Sequence, residues 1–290
     1  MSTSASEILN REIPSTLNWT GRFRLSAGVV ICWLLFLYGS QMVRLPDVVG
    51  MAGCLIGQPA PAVAFGMTAA TMFVGTIVCK FVVGNLLIGA DLQFEGPLIA
   101  VAIGSFALTS RLGPTRYAFF QFPNPDVFLL LIAELLVLYA AFTLCWLLLR
   151  VTARRDAVHS DKTSSIGTKI GATLTHAVVM MACLVFLAQS EATAQTIAAV
   201  GISAWLASMA AHIAFPVRSS FWYWLSPLLV GVIGYAIAYT NSPGLAIGFP
   251  SGALGALARP TPLAFATAGP AGAIFGFWIA YRWNHAEQPQ

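Results

Sequence analysis

Charge is scarce in this chain. Asp, Glu, Lys and Arg make up only 9 % of its 290 residues, against about 25 % in a soluble domain. That is too little polar material to coat a globule of this size, which excludes an ordinary soluble protein. Catalytic signatures are missing as well: the sequence holds no HExxH, no GxSxG and no Walker loop. The five cysteines, Cys32, Cys54, Cys79, Cys145 and Cys183, are scattered, with no CxxC pair and no Cys/His cluster. Neither a metal site nor another cofactor is therefore expected. The net charge of +4 does not indicate nucleic acid, because the basic residues sit in short segments between apolar runs. The polar first 26 residues do not end in a good small-residue cleavage site, so the first apolar run reads as a retained signal-anchor.

What the chain has in abundance is apolar length. Hydrophobic residues reach 58 %, and a spanning helix needs about 20 of them in succession. Candidate spans are 27–42, 62–88, 97–110, 127–149, 171–188, 197–215, 225–239 and 263–281, with a further short Gly-rich apolar stretch at 245–258. The predicted fold class is all-α, a polytopic transmembrane helix bundle of about eight spans. A re-entrant or broken segment is expected near the C-terminus.

Residues 150–170 carry Arg150, Arg154, Arg155, Lys162 and Lys169, the densest basic loop, and by the positive-inside rule it is cytoplasmic. Both termini then also face the cytoplasm, while Arg111, Arg116 and Arg259 fall outside, against the rule. The expected organisation is a cytoplasmic segment 1–26, a first transmembrane half 27–149, a cytoplasmic loop 150–170, a second half 171–282 and a tail 283–290. A cell (inner) membrane location follows. Arg111-Leu-Gly-Pro114-Thr115-Arg-Tyr-Ala118-Phe119 resembles Arg259-Pro260-Thr261-Pro-Leu-Ala264-Phe265 once two residues are dropped. Over so few residues in so biased a composition, this echo does not by itself establish a repeat.

Two stretches invite a functional reading. Residues 243–276 hold Pro243, Pro250, Pro260, Pro262 and Pro270, with Gly244, Gly248 and Gly252 at four-residue spacing and then Gly269, Gly272 and Gly276. Proline frees backbone carbonyls, and broken backbone survives at membrane depth only inside protein or beside water. The alternative is close helix packing through small residues, favoured for Gly272 and Gly276. In the second stretch, Glu95-Gly96-Pro97 opens a short apolar run. Pro97 marks a helix start, and Glu95 either serves that helix end or faces an ion.

Lys80-Phe81, followed by Glu95-Gly96-Pro97-Leu-Ile-Ala-Val-Ala-Ile103-Gly104, resembles the stretch around the gating glutamate of the chloride channel/antiporter family. That resemblance implies a glutamate gating an anion path, at Glu95. It covers 25 residues. The family's Gly-Ser-Gly-Ile-Pro motif is absent and the chain is much shorter than a family member, so membership is not claimed. Gly269-Pro-Ala-Gly272-Ala-Ile-Phe-Gly276 likewise resembles an intramembrane serine protease loop, but Ala271 holds the serine position.

Intramembrane ionisable groups cost about 2.5–3.5 kcal/mol on insertion scales. Lys80 is expected near an inner helix end, snorkelling toward Asp91. Glu134 is expected toward an outer end, paired with Arg111, Arg116 or Arg259, or lining an outward cavity with Arg259. His176 and His212 fall in the inner half, as interfacial residues or as a proton relay. The candidate pathway set is Glu95, Glu134, Arg111, Arg259, Lys80, His176 and His212. The expected function is a permease or channel for an ion or small solute. The alternatives are a non-catalytic subunit or scaffold of a membrane complex, or an intramembrane enzyme using His176, His212 and Asp91. The lipid bilayer, a solute, and a homo-oligomeric or membrane-complex partner are the expected partners.

Overall fold

Apolar side chains alone do not make a fold in lipid. Every backbone N–H and C=O there needs an internal partner, which leaves the helix as the available solution. The computed structural model describes residues 19–41, 54–83, 95–118, 122, 124–152, 164–217, 219–241 and 254–286. Within them lie α1 (Trp19–Gln41), α2 (Pro61–Val83), α3 (Glu95–Gly104), α4 (Phe106–Thr109), α5 (Val127–Val151), α6 (Ile166–Leu187), α7 (Thr193–Ala214), α8 (Phe221–Trp224), α9 (Ser226–Asn241) and α10 (Pro262–Ala286). Seven helical segments are long and apolar enough to cross a membrane, with α8 and α9 counted together. The chain is an all-α integral membrane bundle of about eight spans, the eighth being the shorter apolar stretch Glu95–Thr109. Ser105 joins α3 to α4 through continuous backbone bonds (Ser105 N–H to Val101 O, 2.9 Å; Thr109 N–H to Ser105 O, 3.1 Å). At 1.5 Å per residue this rod is about 22 Å long.

The last helix is the axis of the bundle. Of its apolar window, 89 % is buried, against 22–50 % in the other six. A helix buried on all sides needs small residues wherever neighbours come close. A Cβ added at Gly272 would lie 2.1 Å from the Gly201 carbonyl oxygen, and one at Gly276 2.3 Å from that of Trp205. These contacts bring α7 and α10 together in parallel. Thr261 Oγ1 accepts the Ala264 N–H at 3.1 Å and so caps α10, while Pro262 occupies its first position, where no donor is needed. The helix runs on through Pro270. Tyr139 of α5 donates to the Phe265 carbonyl at 3.1 Å, in the turn before that proline. Of the stretch expected to be broken, residues 243–253 lie outside the described residues, 256–258 form a 3-10 turn, and 262–276 are continuous helix.

The helix contacts repeat between the two halves. α1 packs on α2 and α3, as α6 packs on α7 and α9; α2 packs on α5, as α7 packs on α10. Between halves, α3 packs on α10 as α9 packs on α5, and α5 meets α10. Only the α2–α3 and α9–α10 contacts break this correspondence among these helices. The sequence follows it: Gly96-Pro97-Leu98-Ile99 and Ile103-Gly104 match Ser226-Pro227-Leu228-Leu229 and Ile233-Gly234, while Trp146 and Arg150 match Trp278 and Arg282. Gly104 abuts Cys32 on α1 and Gly234 abuts the Leu257 carbonyl, so both matched glycines serve close approach.

Candidate functional site

The segment that follows α4 meets the segment that leads into α10. Thr115, just beyond α4, donates its hydroxyl to the Arg259 carbonyl at 2.6 Å. Six residues from Thr115 and eight from Arg259 along the two segments, the hydroxyls of Thr109 and Thr267 lie 3.4 Å apart, both buried. Arg259 donates Nε to the Leu254 carbonyl at 2.9 Å and Nη1 to the Ala188 carbonyl at the end of α6. Arg116 pairs with Glu191 at 3.5 Å, and Arg111 is exposed. These contacts collect residues 110–118, 188–193 and 254–261 at one end of the bundle. Arg259 is thus engaged with backbone carbonyls rather than with Glu134.

Glu134, on the third turn of α5, is fully buried. Its Oε2 accepts the Ile56 N–H at 3.0 Å, and Oε1 has no hydrogen-bond partner. The 54–60 turn therefore dips toward the bundle interior and fastens to this carboxyl instead of to an arginine. Gln58, on the same turn, is buried with neither amide atom bonded. Cys54 lies close enough to feel the Glu134 charge. Burial first, and that charge second, push the Cys54 thiol up from its ordinary value.

Glu95 sits at the opposite end, in the first turn of α3. Trp278 of α10 donates its indole N–H to Glu95 Oε2. The matched tryptophan, Trp146, packs instead on Phe221 with ring centroids 4.9 Å apart, at the start of the matched helix pair α8–α9. Each half so places a tryptophan of its last helix on the third helix of the other half, but only one of the two meets a carboxylate.

Lys80 snorkels to that same end and donates to the Thr152 carbonyl at 3.2 Å. Asp91, its expected goal, lies outside the described residues. His176 and His212 flank Tyr223, with ring centroids 6.4 and 5.8 Å from it. His176 gives Nε2–H to the Ala204 carbonyl at 3.1 Å, and its Nδ1 has no partner. His212 Nδ1 lies 3.0 Å from the Tyr223 hydroxyl, which donates to the Phe215 carbonyl. Among the described residues no three His, Cys, Asp or Glu side chains converge to hold a metal ion.

No family model, curated protein or solved structure matches this chain. The geometry alone therefore carries the functional reading. It divides the seven sequence-derived candidates into an end with Glu134, Arg111 and Arg259 and an end with Glu95, Lys80 and His212, with His176 not in the expected inner half but midway along α6, bonded to the middle of α7. Sequence reasoning missed Trp278, Tyr223, Gln58, Thr109 and Thr267. Trp278 was within reach, because Trp146 and Trp278 share a four-residue spacing to an arginine. The others carry no periodic signal.

Proposed function

We propose that the protein is a permease or channel for an ion or small solute. What supports this reading is the contact of the third span and its following segment with the lead-in and first turns of α10, Thr115 on Arg259 and Thr109 on Thr267, between halves with matching contacts. Transporters built from repeats place their sites where the repeats face each other. The pathway set is Glu95, Glu134, Arg111, Arg259, Lys80, His176 and His212, with Thr109 and Thr267 on the plane between halves. A subunit or scaffold role rested on small-residue faces open to a partner. The glycines Gly28, Gly75, Gly104, Gly201, Gly272 and Gly276 instead meet this chain's own helices, so those faces are already occupied.

The cytoplasmic placement of the termini belongs to the same proposal. Lys80, Arg150 and Lys169 gather at the end where α1 starts and α10 finishes, reaching Thr152, Trp146 and Trp222. That cationic rim favours the inner face, and a cell membrane is the proposed location.

The test is flux into liposomes carrying the purified protein, over a panel of ions and small solutes. A double variant, Thr109→Cys with Thr267→Cys in a cysteine-free background, is expected to lose flux on oxidation and regain it on reduction. Flux equal to empty liposomes across the panel overturns the transport reading.

A further inference from the structure

Glu134 and Gln58 are polar groups for which the fold supplies no complete set of partners. Glu134 lies seven positions after Val127 at the start of α5, which places it about 10 Å along the helix. At that depth Oε1 has no partner, and the 95 % burial of Gln58 leaves its whole amide unbonded. Burying such groups unpaired costs several kcal/mol, and an unpaired intramembrane carboxylate is dearer still. Among the described residues no lysine, arginine or histidine side chain pairs with Glu134. Among the described residues at this end, Arg259 ties backbone carbonyls, Arg116 holds Glu191, and Tyr235 donates to the Pro260 carbonyl. The two leftover groups lie on one turn and on the carboxylate that fastens that turn.

We propose that Glu134, with Gln58, is a proton-binding site. The surrounding chemistry selects the ligand. A metal cation wants six or so oxygen ligands at short range. The groups about Glu134 are mostly donors: the Ile56 and Leu55 N–H groups against the carboxyl, with the Cys54 thiol and a Tyr235 hydroxyl already committed to a carbonyl nearby. A single proton needs no such cage. The acid form carries its proton on the carboxyl while Oε2 keeps the Ile56 N–H, and Gln58 lies on the same turn with its amide, a donor and an acceptor, uncommitted. The exchange is R–COOH to R–COO⁻ plus one proton, with no other reactant. Among the described residues, the titratable groups near Glu134 are Cys54 from the preceding turn and Tyr235 from α9. Proton binding stands without the transport reading, and it names the proton as a coupling ion where that reading holds.

The test uses the purified full-length protein, an apolar carbodiimide that attacks protonated carboxyls, and mass spectrometry of the adduct. The expected result is an adduct on Glu134 that is about tenfold more abundant in mildly acid than in mildly alkaline buffer. Glu134→Gln loses it, Gln58→Leu displaces its pH midpoint, and sodium or calcium ions do not protect. Absence of the adduct at every pH in folded protein overturns the proposal, as does protection by either cation. Should Glu134→Gln fail to fold, infrared spectroscopy of the wild-type protein replaces it: a protonated-carboxyl carbonyl stretch that vanishes on alkalinisation is expected, and its absence overturns the site. An adduct without solute flux keeps the proton site and removes the transport reading; flux without an adduct does the reverse.

Discussion

Trp278 and Glu95 are 183 residues apart in sequence and joined by a hydrogen bond. The indole of the central helix meets the carboxylate that opens the third helix, so the bond binds the last span to the first half. Trp278→Phe keeps most of the ring and removes the donor. A hydrogen bond to a charged group contributes about 1.5–3 kcal/mol, and the loss is expected to lower the thermal midpoint in detergent. Trp33, 40 % exposed on the bundle surface, is the control; Trp33→Phe is expected to leave the midpoint in place. Equal shifts from both would remove the structural role of the bond.

The α7–α10 seam predicts an ordering among glycines. Gly272→Ala puts a Cβ 2.1 Å from a backbone oxygen that cannot rotate away. Overpacking of this kind costs about 1–3 kcal/mol or more. Gly66 in α2 has nothing within 4 Å of its added Cβ, so Gly66→Ala is expected to gain about 0.5–1 kcal/mol from helix propensity. Thermal unfolding of the two variants in one detergent checks the opposite signs.

The spans were legible because hydrocarbon imposes them. Expected runs 127–149 and 263–281 correspond to Val127–Val151 and Pro262–Ala286. Boundaries slipped where polar residues continue a helix into the interface. The first apolar run begins at Ala27, yet α1 begins at Trp19, because Arg22 and Arg24 extend a helix whose apolar part lies further on. Hydropathy reports which residues enter the membrane and says nothing of neighbours. Glu134 was expected toward an outer helix end beside an arginine; it lies on the third turn of α5 and its partner is the Ile56 amide, since the 54–60 turn carries no apolar period to betray its depth. Pro270 was expected to interrupt structure. It lies inside a continuous helix, and Tyr139 of α5 donates to the Phe265 carbonyl in the turn before it. The match of 96–104 with 226–234 was readable in the sequence, but became persuasive only beside the matching contacts.

Thiol chemistry offers a test of burial that needs no functional assay. Cys183 is partly exposed, whereas Cys32, Cys54, Cys79 and Cys145 are buried. The thiolate is the reactive form. Burial, with the Glu134 charge second, raises the Cys54 thiol above its ordinary value, so it stays protonated through neutral and mildly alkaline pH. Maleimide in mild detergent is expected to modify Cys183 first and to leave Cys54 unmodified as pH is raised from neutral to mildly alkaline. Peptide mapping of the modified protein reads the order; early modification of Cys54 would show that its turn opens to solvent.

Arg259 makes the sharpest demand on side-chain geometry. Its Nε and Nη1 reach two carbonyls on separate segments, Leu254 before the 3-10 turn and Ala188 after α6, while its own carbonyl accepts from Thr115. Three segments are thereby clasped at one residue. Lysine keeps the charge but has one nitrogen and no fork, so Arg259→Lys can satisfy only one of the two carbonyls. The other stays partly buried without its donor, at about 1–3 kcal/mol. Arg259→Lys is therefore expected to destabilise nearly as much as Arg259→Met, which would not hold if charge alone mattered. Hydrogen exchange adds a local readout: protection at the end of α6 and at the start of α10 should fall in both variants while α2 stays protected. A lysine variant with wild-type exchange at both places would mean that one carbonyl contact suffices to hold the clasp.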